Sequence, residues 1–254
     1  MGARVVAVTP ALVALGLTAL AGGATVLGGL LAVHRRVRDD RGLAVALGFA
    51  AGAMVLVSLA AMVPAGVAGV GWAATLVLVL LGAGLTAALQ RLPHHHGSGP
   101  QVRLRRTGLV VAVAVGLHNL PEGLATYVAA LEDPHAGAVL ALAIAIHNVP
   151  EGIAVAAPVL GASGDARRAV GAAALSGLAE PVGAVLGYLV LAAVLPPAAY
   201  AAVFGLVAGV MLRVGVAELL PTARRLATLG TAAMAGSTGA IVMAAGLALL
   251  GVAG

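Results

Sequence analysis

The chain consists of long apolar runs separated by short polar segments. Eight of these runs reach roughly 20 residues, the length of helix that a bilayer core requires. The pattern predicts an all-α integral membrane protein with eight transmembrane helices. Its expected spans, numbered one to eight in chain order, are Val5–Val33, Leu43–Pro64, Trp72–Leu89, Gly108–Ala130, Gly137–Leu160, Val170–Leu195, Tyr200–Pro221 and Gly230–Val252.

The basic residues predict the orientation of these spans. Of the 14 basic residues, twelve lie in the loops after spans one, three, five and seven, and the loops after spans two, four and six hold none. Because cytoplasmic loops are enriched in Arg and Lys, we expect both termini to be extracytoplasmic. The twelve are Arg35, Arg36, Arg38, Arg41, Arg91, Arg103, Arg105, Arg106, Arg167, Arg168, Arg224 and Arg225.

Composition agrees with a membrane protein and excludes several other classes. Hydrophobic residues make up 61% of the chain and charged residues 9%, which no soluble domain of this length can accommodate. The net charge of +5 does not indicate nucleic-acid binding, because the arginines flank the apolar spans. The chain has no cysteine, so disulfides and thiolate metal sites are excluded. The lipid bilayer is therefore the expected surrounding partner.

The sequence also contains an internal repeat. Residues 48–64 match residues 205–221 at a constant offset of 157, and span one matches span six more faintly at an offset of 155, with Thr25 opposite Glu180. In the predicted orientation the repeated spans cross the bilayer in opposite directions. We therefore expect an inverted 3+2+3 repeat, which is typical of alternating-access transporters with binding sites near mid-membrane.

The most specific motif is a six-residue word, His-Asn-x-Pro-Glu-Gly, which occurs at residues 118–123 and again at residues 147–152. A histidine and a glutamate four residues apart lie on the same helix face. The proline between them removes one backbone hydrogen bond and is expected to kink the helix. Two such helices facing each other would gather imidazoles, carboxylates and amides around one point inside the membrane.

Such a cluster predicts a metal site. An ionisable residue at the bilayer centre costs roughly 2.5–3.5 kcal/mol, and crowded carboxylates need a cation to neutralise them. Imidazole and carboxylate ligands suit Zn²⁺, and also Fe²⁺, Mn²⁺, Co²⁺ and Ni²⁺, whereas amide oxygens are weaker ligands that favour release. Duplication of the word favours one shared site over two separate hydrogen-bonded pairs. The candidates near the middle of their spans are His118, Glu122, His147, Glu151 and Glu180.

These features resemble the ZIP (Zrt/Irt-like) family of divalent-metal transporters, in its bacterial ZupT/GufA-like branch. The doubled motif, the Glu-Pro of span six and the Gly-Phe-Ala-Ala-Gly-x-Met of span two carry the resemblance, which covers nearly the whole chain. It implies zinc uptake into the cytoplasm across a bacterial plasma (inner) membrane, without a prosthetic group. It also implies a primary metal site and an adjacent second site that Glu122 and Glu151 bridge. The implied ligands are His118, Glu122, His147 and Glu151 for the first site, and Asn119, Asn148 and Glu180 for the second.

The resemblance also implies how the single domain of residues 1–254 is organised. Spans one, four, five and six would form a transport unit that moves against a scaffold of spans two, three, seven and eight, in a homodimer. Residues 92–107 would form a cytoplasmic loop whose histidines take up metal after transit or sense its level. A simple polar linker is the alternative for this loop. Its histidines are His94, His95 and His96.

Three further positions are accessory candidates. Related sequences often carry a glutamate near the outer end of span two, where this chain has Ala61. The repeat mate of this position, Glu218 in span seven, is still a glutamate. Glu218 is expected either to receive the departing ion or to be a solvated helix end. Arg213, in the middle of span seven, is expected either to pair with Glu180 or Glu218 or to snorkel to the interface. Met54 is a thioether ligand on one interpretation and a packing residue on the other.

The alternatives to zinc uptake differ in how well the residues support them. A broad-range Fe, Mn, Co or Cd transporter, a channel-like pore or an outward-working carrier would use the same ligand types. An intramembrane metal-dependent hydrolase would need a metal with an open, water-bearing position and a general base. The His-Glu-x-x-His order of zinc proteases is absent, and duplicated sites on inverted helices have no evident use in hydrolysis. We therefore expect a transporter and not an enzyme.

Overall fold

A computed structural model describes residues 8–37, 39–91, 99–190 and 197–249. The regular secondary structure in this part of the chain is helical, and it includes a short 3₁₀ turn at Arg35–Val37 and two π-helical turns. The α-helices are α1 (Val8–Ala32), α2 (Asp40–Val57), α3 (Val63–Arg91), α4 (Pro100–Glu132), α5 (Pro134–Ser163), α6 (Ala166–Gly177), α7 (Ala179–Val190), α8 (Pro197–Val214), α9 (Leu220–Leu226) and α10 (Leu229–Leu249).

Seven helical segments within the described residues are long and apolar enough to cross a membrane. The protein is thus a multi-pass membrane protein whose described secondary structure is all helical, as the apolar pattern predicts. Six segments each correspond to one predicted span, whereas the segment Asp40–Ala88 contains predicted spans two and three. Its 49 residues would extend about 74 Å as a straight helix, more than twice the ~30 Å thickness of a bilayer core.

The helical path of this long segment is interrupted at one residue. Gly71 has φ 80° and ψ 166°, far from helical values. Glycine adopts a positive φ without the steric strain that a Cβ would bring. The interruption lies between the predicted spans Leu43–Pro64 and Trp72–Leu89, and immediately precedes the second of them.

The prolines inside the other spans have different consequences. Helix α4 continues through Pro121, and α5 continues through Pro150. Span six is divided instead, because α6 ends at Gly177 and α7 begins at Ala179. Pro181 has no N–H to donate to the carbonyl of Gly177, four residues earlier, so the division falls one turn before the proline.

Helix α4 begins earlier than the apolar pattern predicts. Its first residue is Pro100, a favoured first helical position, whereas the predicted span four begins at Gly108. Residues 100–107 of the predicted loop are therefore helical. The histidines of that loop, His94, His95 and His96, lie outside the described residues.

The internal repeat is reproduced in the backbone. Helix α2 is followed by a π-helical turn at Ser58–Met62, and α8 by one at Gly215–Leu219, with the predicted offset (215 − 58 = 157). In each turn the closing N–H bonds to a carbonyl five residues earlier, from Val63 to Ser58 and from Leu220 to Gly215. A proline follows each closing residue, and the wider turn accommodates its missing N–H.

The described helices pack mainly as five close pairs, α3 with α8, α1 with α5, α4 with α5, α2 with α10 and α4 with α7. Helices α1, α4, α5, α6 and α7 also contact one another, while α2 packs against α5 and so joins the two sets. Glycines allow close approach at these crossings: a Cβ on Gly152 of α5 would lie 3.0 Å from the Cα of Gly28 on α1. Small residues at interfaces are the usual means of packing transmembrane helices.

Candidate metal site

The two copies of the six-residue word face each other because α4 and α5 form a tight antiparallel hairpin. Only Asp133 separates the end of α4 from the start of α5. His118 lies fifteen residues before Asp133 and His147 fourteen residues after it, so both lie about 21 Å from the turn at 1.5 Å per residue. Their ring centroids are 6.0 Å apart, with an interplanar angle of 37°.

Both imidazoles contact glutamates from the facing helix. The Nε2 atom of His147 lies 2.8 Å from Oε1 of Glu122, with which it forms a hydrogen bond. The Nε2 atom of His118 lies 3.1 Å from Oε1 of Glu122 and 3.1 Å from Oε1 of Glu151, in neither case with hydrogen-bond geometry. Donor atoms of His118, His147 and Glu151 all lie within 4.8 Å of one another. Electron-pair donors from two helices therefore converge on one point.

The asparagine of each word holds a backbone carbonyl of a neighbouring helix. The side-chain amide of Asn119 donates to the carbonyl of Ser176 on α6 at 3.0 Å, and that of Asn148 donates to the carbonyl of Ala21 on α1 at 2.8 Å. These two acceptors are repeat mates at the offset of 155 residues. Asn148 also donates to Oε1 of Glu180. The amide nitrogens are thus occupied, and the amide oxygens remain available as acceptors.

Several buried atoms at this point have no hydrogen-bond partner among the described residues. Both imidazoles, both amides and all three carboxylates belong to residues that are at most 5% exposed. A buried acceptor without a partner costs free energy, so a cluster of buried acceptors of this kind is typical of a ligand-binding site. The unsatisfied oxygens are Asn119 Oδ1, Glu122 Oε2, Asn148 Oδ1, Glu151 Oε1 and Oε2, and Glu180 Oε2.

Glu180 is held close to this cluster by backbone packing of α7 on α4. A Cβ placed on Gly123 would lie 2.7 Å from the Cα of Glu180, so only a glycine permits this approach. Glu180 is itself fully buried. With neutral imidazoles, its carboxylate and those of Glu122 and Glu151 carry a formal charge of −3, which a divalent cation reduces to −1. A cation therefore fits the donor chemistry and the charge of the cluster.

The accessory candidates do not lie on the helices that carry the histidines and carboxylates. Met54 is buried on α2 in the main apolar cluster of the protein. Arg213 lies in the last turn of α8, and Glu218 in the π-helical turn that follows it. Glu218 accepts a hydrogen bond at 3.2 Å from the hydroxyl of Thr107, near the start of α4. Met54, Arg213 and Glu218 thus all belong to helices other than α4, α5 and α7, which carry the histidines and carboxylates.

The structure also brings forward residues that the motifs do not indicate. The hydroxyls of Thr25 on α1 and Thr126 on α4 are buried and have no hydrogen-bond partner among the described residues. Thr25 carried a sequence signal, because the repeat sets it opposite Glu180. Thr126 lies one turn beyond Glu122 on the same helix face. A single polar residue at this position does not by itself indicate a binding site. The contact of Thr107 with Glu218 joins residues 111 positions apart, which local patterns do not predict.

The sequence of this chain is similar to those of known proteins. The sequence profile of the family described as "ZIP Zinc transporter" matches residues 90–253. A protein named zinc transporter ZupT from Xanthomonas axonopodis pv. citri is 47% identical over 234 residues, covering 85% of this chain and 86% of its own length. Proteins of the same name from Corynebacterium glutamicum and Escherichia coli O127:H6 are 43% identical over 235 residues and 41% identical over 249 residues. These cover 84% and 94% of this chain, and 89% and 97% of their own lengths.

The chain belongs to the ZIP family. This confirms the family relationship that the doubled motif predicted from the sequence. Because the family consists of transporters, this ZIP protein is a transporter and not an enzyme, and the hydrolase alternative is set aside.

Proposed function

We propose that this ZIP protein imports zinc into the cytoplasm through a site between α4 and α5. The observation that carries the proposal is the meeting of two imidazoles and two carboxylates from facing halves of a buried hairpin. Nitrogen and oxygen donors of this kind suit Zn²⁺. The relatives named zinc transporters support the same metal. The bacterial sources of these relatives support a location in the inner membrane of a bacterium.

The proposed primary site uses Nε2 of both histidines with the carboxylates of Glu122 and Glu151. An ion that binds Nε2 of His147 must replace the hydrogen bond that this nitrogen makes to Glu122, whose carboxylate can then bind the ion. The proposed second position has only oxygen donors, namely the amide oxygens of Asn119 and Asn148 and the carboxylate of Glu180. Glu122 and Glu151 each have an unsatisfied second oxygen with which to bridge the two positions. Weaker oxygen ligands favour the release that a transporter requires.

The membrane topology that we propose has eight spans with both termini outside. The length of the segment Asp40–Ala88 and the non-helical backbone at Gly71 support counting this segment as two spans. The alternation of arginine-bearing loops supports the orientation. Cysteine labelling of residues introduced beside Gly71 and Asp133, with a membrane-impermeant thiol reagent on intact cells, tests it. Both positions should be labelled from outside.

The proposed transport cycle moves α1, α4, α5, α6 and α7 as a unit against α2, α3, α8, α9 and α10. The close contacts within each set and the repeat that relates their members support this division. The family resemblance further supports a homodimer, in which the scaffold helices stay fixed. Mass photometry of the detergent-solubilised protein tests the oligomeric state. The loop with His94, His95 and His96 is proposed as a cytoplasmic accessory.

Direct transport measurements test the metal and the direction. Purified protein in proteoliposomes should accumulate radiolabelled Zn²⁺ down its gradient, and unlabelled Fe²⁺, Mn²⁺, Co²⁺ and Cd²⁺ should be added in turn as competitors. The proposal predicts zinc uptake that the other metals inhibit only weakly. Strong inhibition of zinc uptake by several of these metals favours the broad-range alternative. Zinc export without import in cells that express the protein contradicts the proposed direction.

The proposed exit passes Glu218, and this gives a specific prediction. Glu218→Gln should lower zinc uptake by up to about tenfold without abolishing it, because the carboxylate attracts the departing cation but does not hold it at the primary site. Thr107→Val removes only the hydrogen bond to Glu218, and is expected to change uptake by about threefold or less. Initial rates in proteoliposomes measure both. A rate for Glu218→Gln equal to that of the unmodified protein would exclude this route.

A further inference from the structure

A groove along α4, on the side where we expect the helices to face the membrane, resembles a lipid-binding site in its lining. Its larger part is a cavity of about 630 Å³ between α4 and the α6–α7 segment, with small residues as its floor. Gly108, Ala112 and Gly116 are four residues apart and so lie on one face of α4. Leu109, Val113 and Leu117, one position further along, form an exposed apolar wall.

The groove opens at one end into a cationic cavity. This second cavity of about 340 Å³ is lined by Arg105, Ser163 and Arg168, and it shares Arg105 and Val159 with the first. Arg168 also forms an exposed ion pair with Asp165 at 3.3 Å. Arg103, Arg106 and Arg167 lie nearby in sequence, so the local balance stays positive despite Asp165.

The dimensions of the groove match one leaflet of a membrane. Arg105 and Leu117 are twelve residues apart on α4, or about 18 Å at 1.5 Å per residue. One leaflet contributes about half of the ~30 Å hydrocarbon core. An acyl chain can therefore lie along the small residues while a headgroup phosphate reaches the arginines. The arginines belong to loops expected on the cytoplasmic side, where Arg side chains attract anionic lipids.

We propose that this groove binds an anionic phospholipid, with its phosphate between Arg105 and Arg168 and one acyl chain along Gly108, Ala112 and Gly116. A zwitterionic lipid carries a compensating positive charge, so it binds the arginine pair less well. The proposed function of the metal site is not needed for this binding. The lipid proposal goes beyond metal transport, since it gives the protein a second ligand, an anionic phospholipid.

The lipid groove also contacts the metal site. Ser176 lines the groove, and its hydroxyl donates to the carbonyl of Ala112 at 3.2 Å. The backbone carbonyl of Ser176 accepts the hydrogen bond from the side-chain amide of Asn119. A chain lying against Ser176 therefore stabilises the position of Asn119. This second step rests on the proposed function, and it predicts faster metal uptake when anionic lipid is present.

Native mass spectrometry of the purified protein in mixed micelles tests the lipid site directly. Titration with phosphatidylglycerol should give an affinity that falls on the order of 30-fold in the double variant Arg105→Gln/Arg168→Gln, since each arginine contributes separately. The matched control Arg36→Gln/Arg41→Gln removes the same charge from another loop and should leave the affinity unchanged. Equal affinities for both double variants would overturn the proposal. Phosphatidylcholine should bind to both double variants with similar affinity.

A second pair of variants tests the apolar part of the groove. A Cβ on Gly116 meets no atom within 4 Å, and Gly116 lines the groove, so the larger side chain of Gly116→Leu begins in open space at the groove. It should lower phosphatidylglycerol affinity by about tenfold, at roughly 1.4 kcal/mol per tenfold for lost apolar contact. The control Gly84→Leu also introduces leucine at an exposed glycine with open space around it. Unchanged affinity in Gly116→Leu, or full displacement of the lipid by glycerol phosphate alone, would overturn the proposal.

The step that couples the lipid to transport has its own measurement. Zinc uptake is compared in phosphatidylcholine vesicles with and without phosphatidylglycerol, for the unmodified protein and for Arg105→Gln/Arg168→Gln. Stimulation by phosphatidylglycerol that the double variant loses supports the coupling. Lipid binding without any stimulation overturns the coupling alone. Absence of zinc uptake in every lipid, with lipid binding intact, contradicts the proposed transport function and leaves the lipid site standing.

Discussion

Glu151→Gln should reduce zinc uptake by about 100-fold or more, the largest effect expected of a single conservative change. Glu151 is fully buried, and neither of its carboxylate oxygens has a hydrogen-bond partner among the described residues. Glutamine keeps the shape of the side chain but removes the charge that the cation balances. Even residues that only support metal ligands typically contribute 10–100-fold to metal affinity, so loss of a charged ligand is expected to exceed this.

Uptake rates and equilibrium zinc binding to the purified protein measure this effect together. His147→Ala should give a loss of similar size, because it removes the imidazole that faces Glu122. The control is Glu132→Gln, which makes the same chemical change at the last residue of α4. All three variants should insert into the membrane at normal levels. Transport at full rate by Glu151→Gln and by His147→Ala would refute the proposed site.

The arrangement of the α4–α5 hairpin could be predicted from the sequence because local rules determine it. A spacing of four residues sets His118 and Glu122 on one face, and the repeated word implies the same face on α5. The predicted spans leave residues 131–136 as the connection, whereas the structure reduces it to Asp133, and this short turn brings the two histidines to the same depth. Apolar run length likewise located the membrane-crossing segments. Each of these features depends on residues that are close in sequence.

Features that depend on backbone hydrogen bonding or on distant contacts could not be read from the sequence. Hydropathy does not report the backbone conformation at Gly71, nor the start of α4 at Pro100, eight residues before the apolar run. The π-helical turns before Pro64 and Pro221 change the hydrogen-bond register without changing composition. No periodic pattern in the sequence indicates the hydrogen bond from Thr107 to Glu218. For these features, tertiary packing decides the outcome.

The repeat explains which contacts are duplicated and which differ. Gly28 packs against the carbonyl of Val149, and its repeat mate Gly183 packs against that of Leu120. Packing positions are therefore conserved between the halves. The polar residues of the six-residue word are duplicated as well, but one polar position differs, since Thr25 stands opposite Glu180. A repeat of this kind is typical of alternating-access transporters, and we expect the unequal pair of Thr25 and Glu180 to make the two halves differ in their contact with the ion.

The second large effect on zinc uptake is expected for Gly22→Ala, which changes helix contacts beside the proposed metal site. A Cβ on Gly22 of α1 overlaps the backbone carbonyl of Gly177 and lies 3.5 Å from the Cβ of Glu180. Helix α1 must then move away from the junction of α6 and α7, and it carries with it the carbonyl of Ala21 that Asn148 holds. A displacement of about 1 Å at a binding site can lower rates by about 100-fold, so we expect a loss of 10- to 100-fold in zinc uptake.

The neighbouring residue supplies a matched control for this prediction. A Cβ on Gly23 meets no atom within 4 Å, and Gly23 is exposed on the outer surface of α1. Gly23→Ala therefore makes the same change in helix propensity, one position along, without displacing α1. Uptake by Gly23→Ala should stay near that of the unmodified protein. If both variants transport equally well, the close approach of α1 to Gly177 does not position the site, and the ligands are held by α4 and α5 alone.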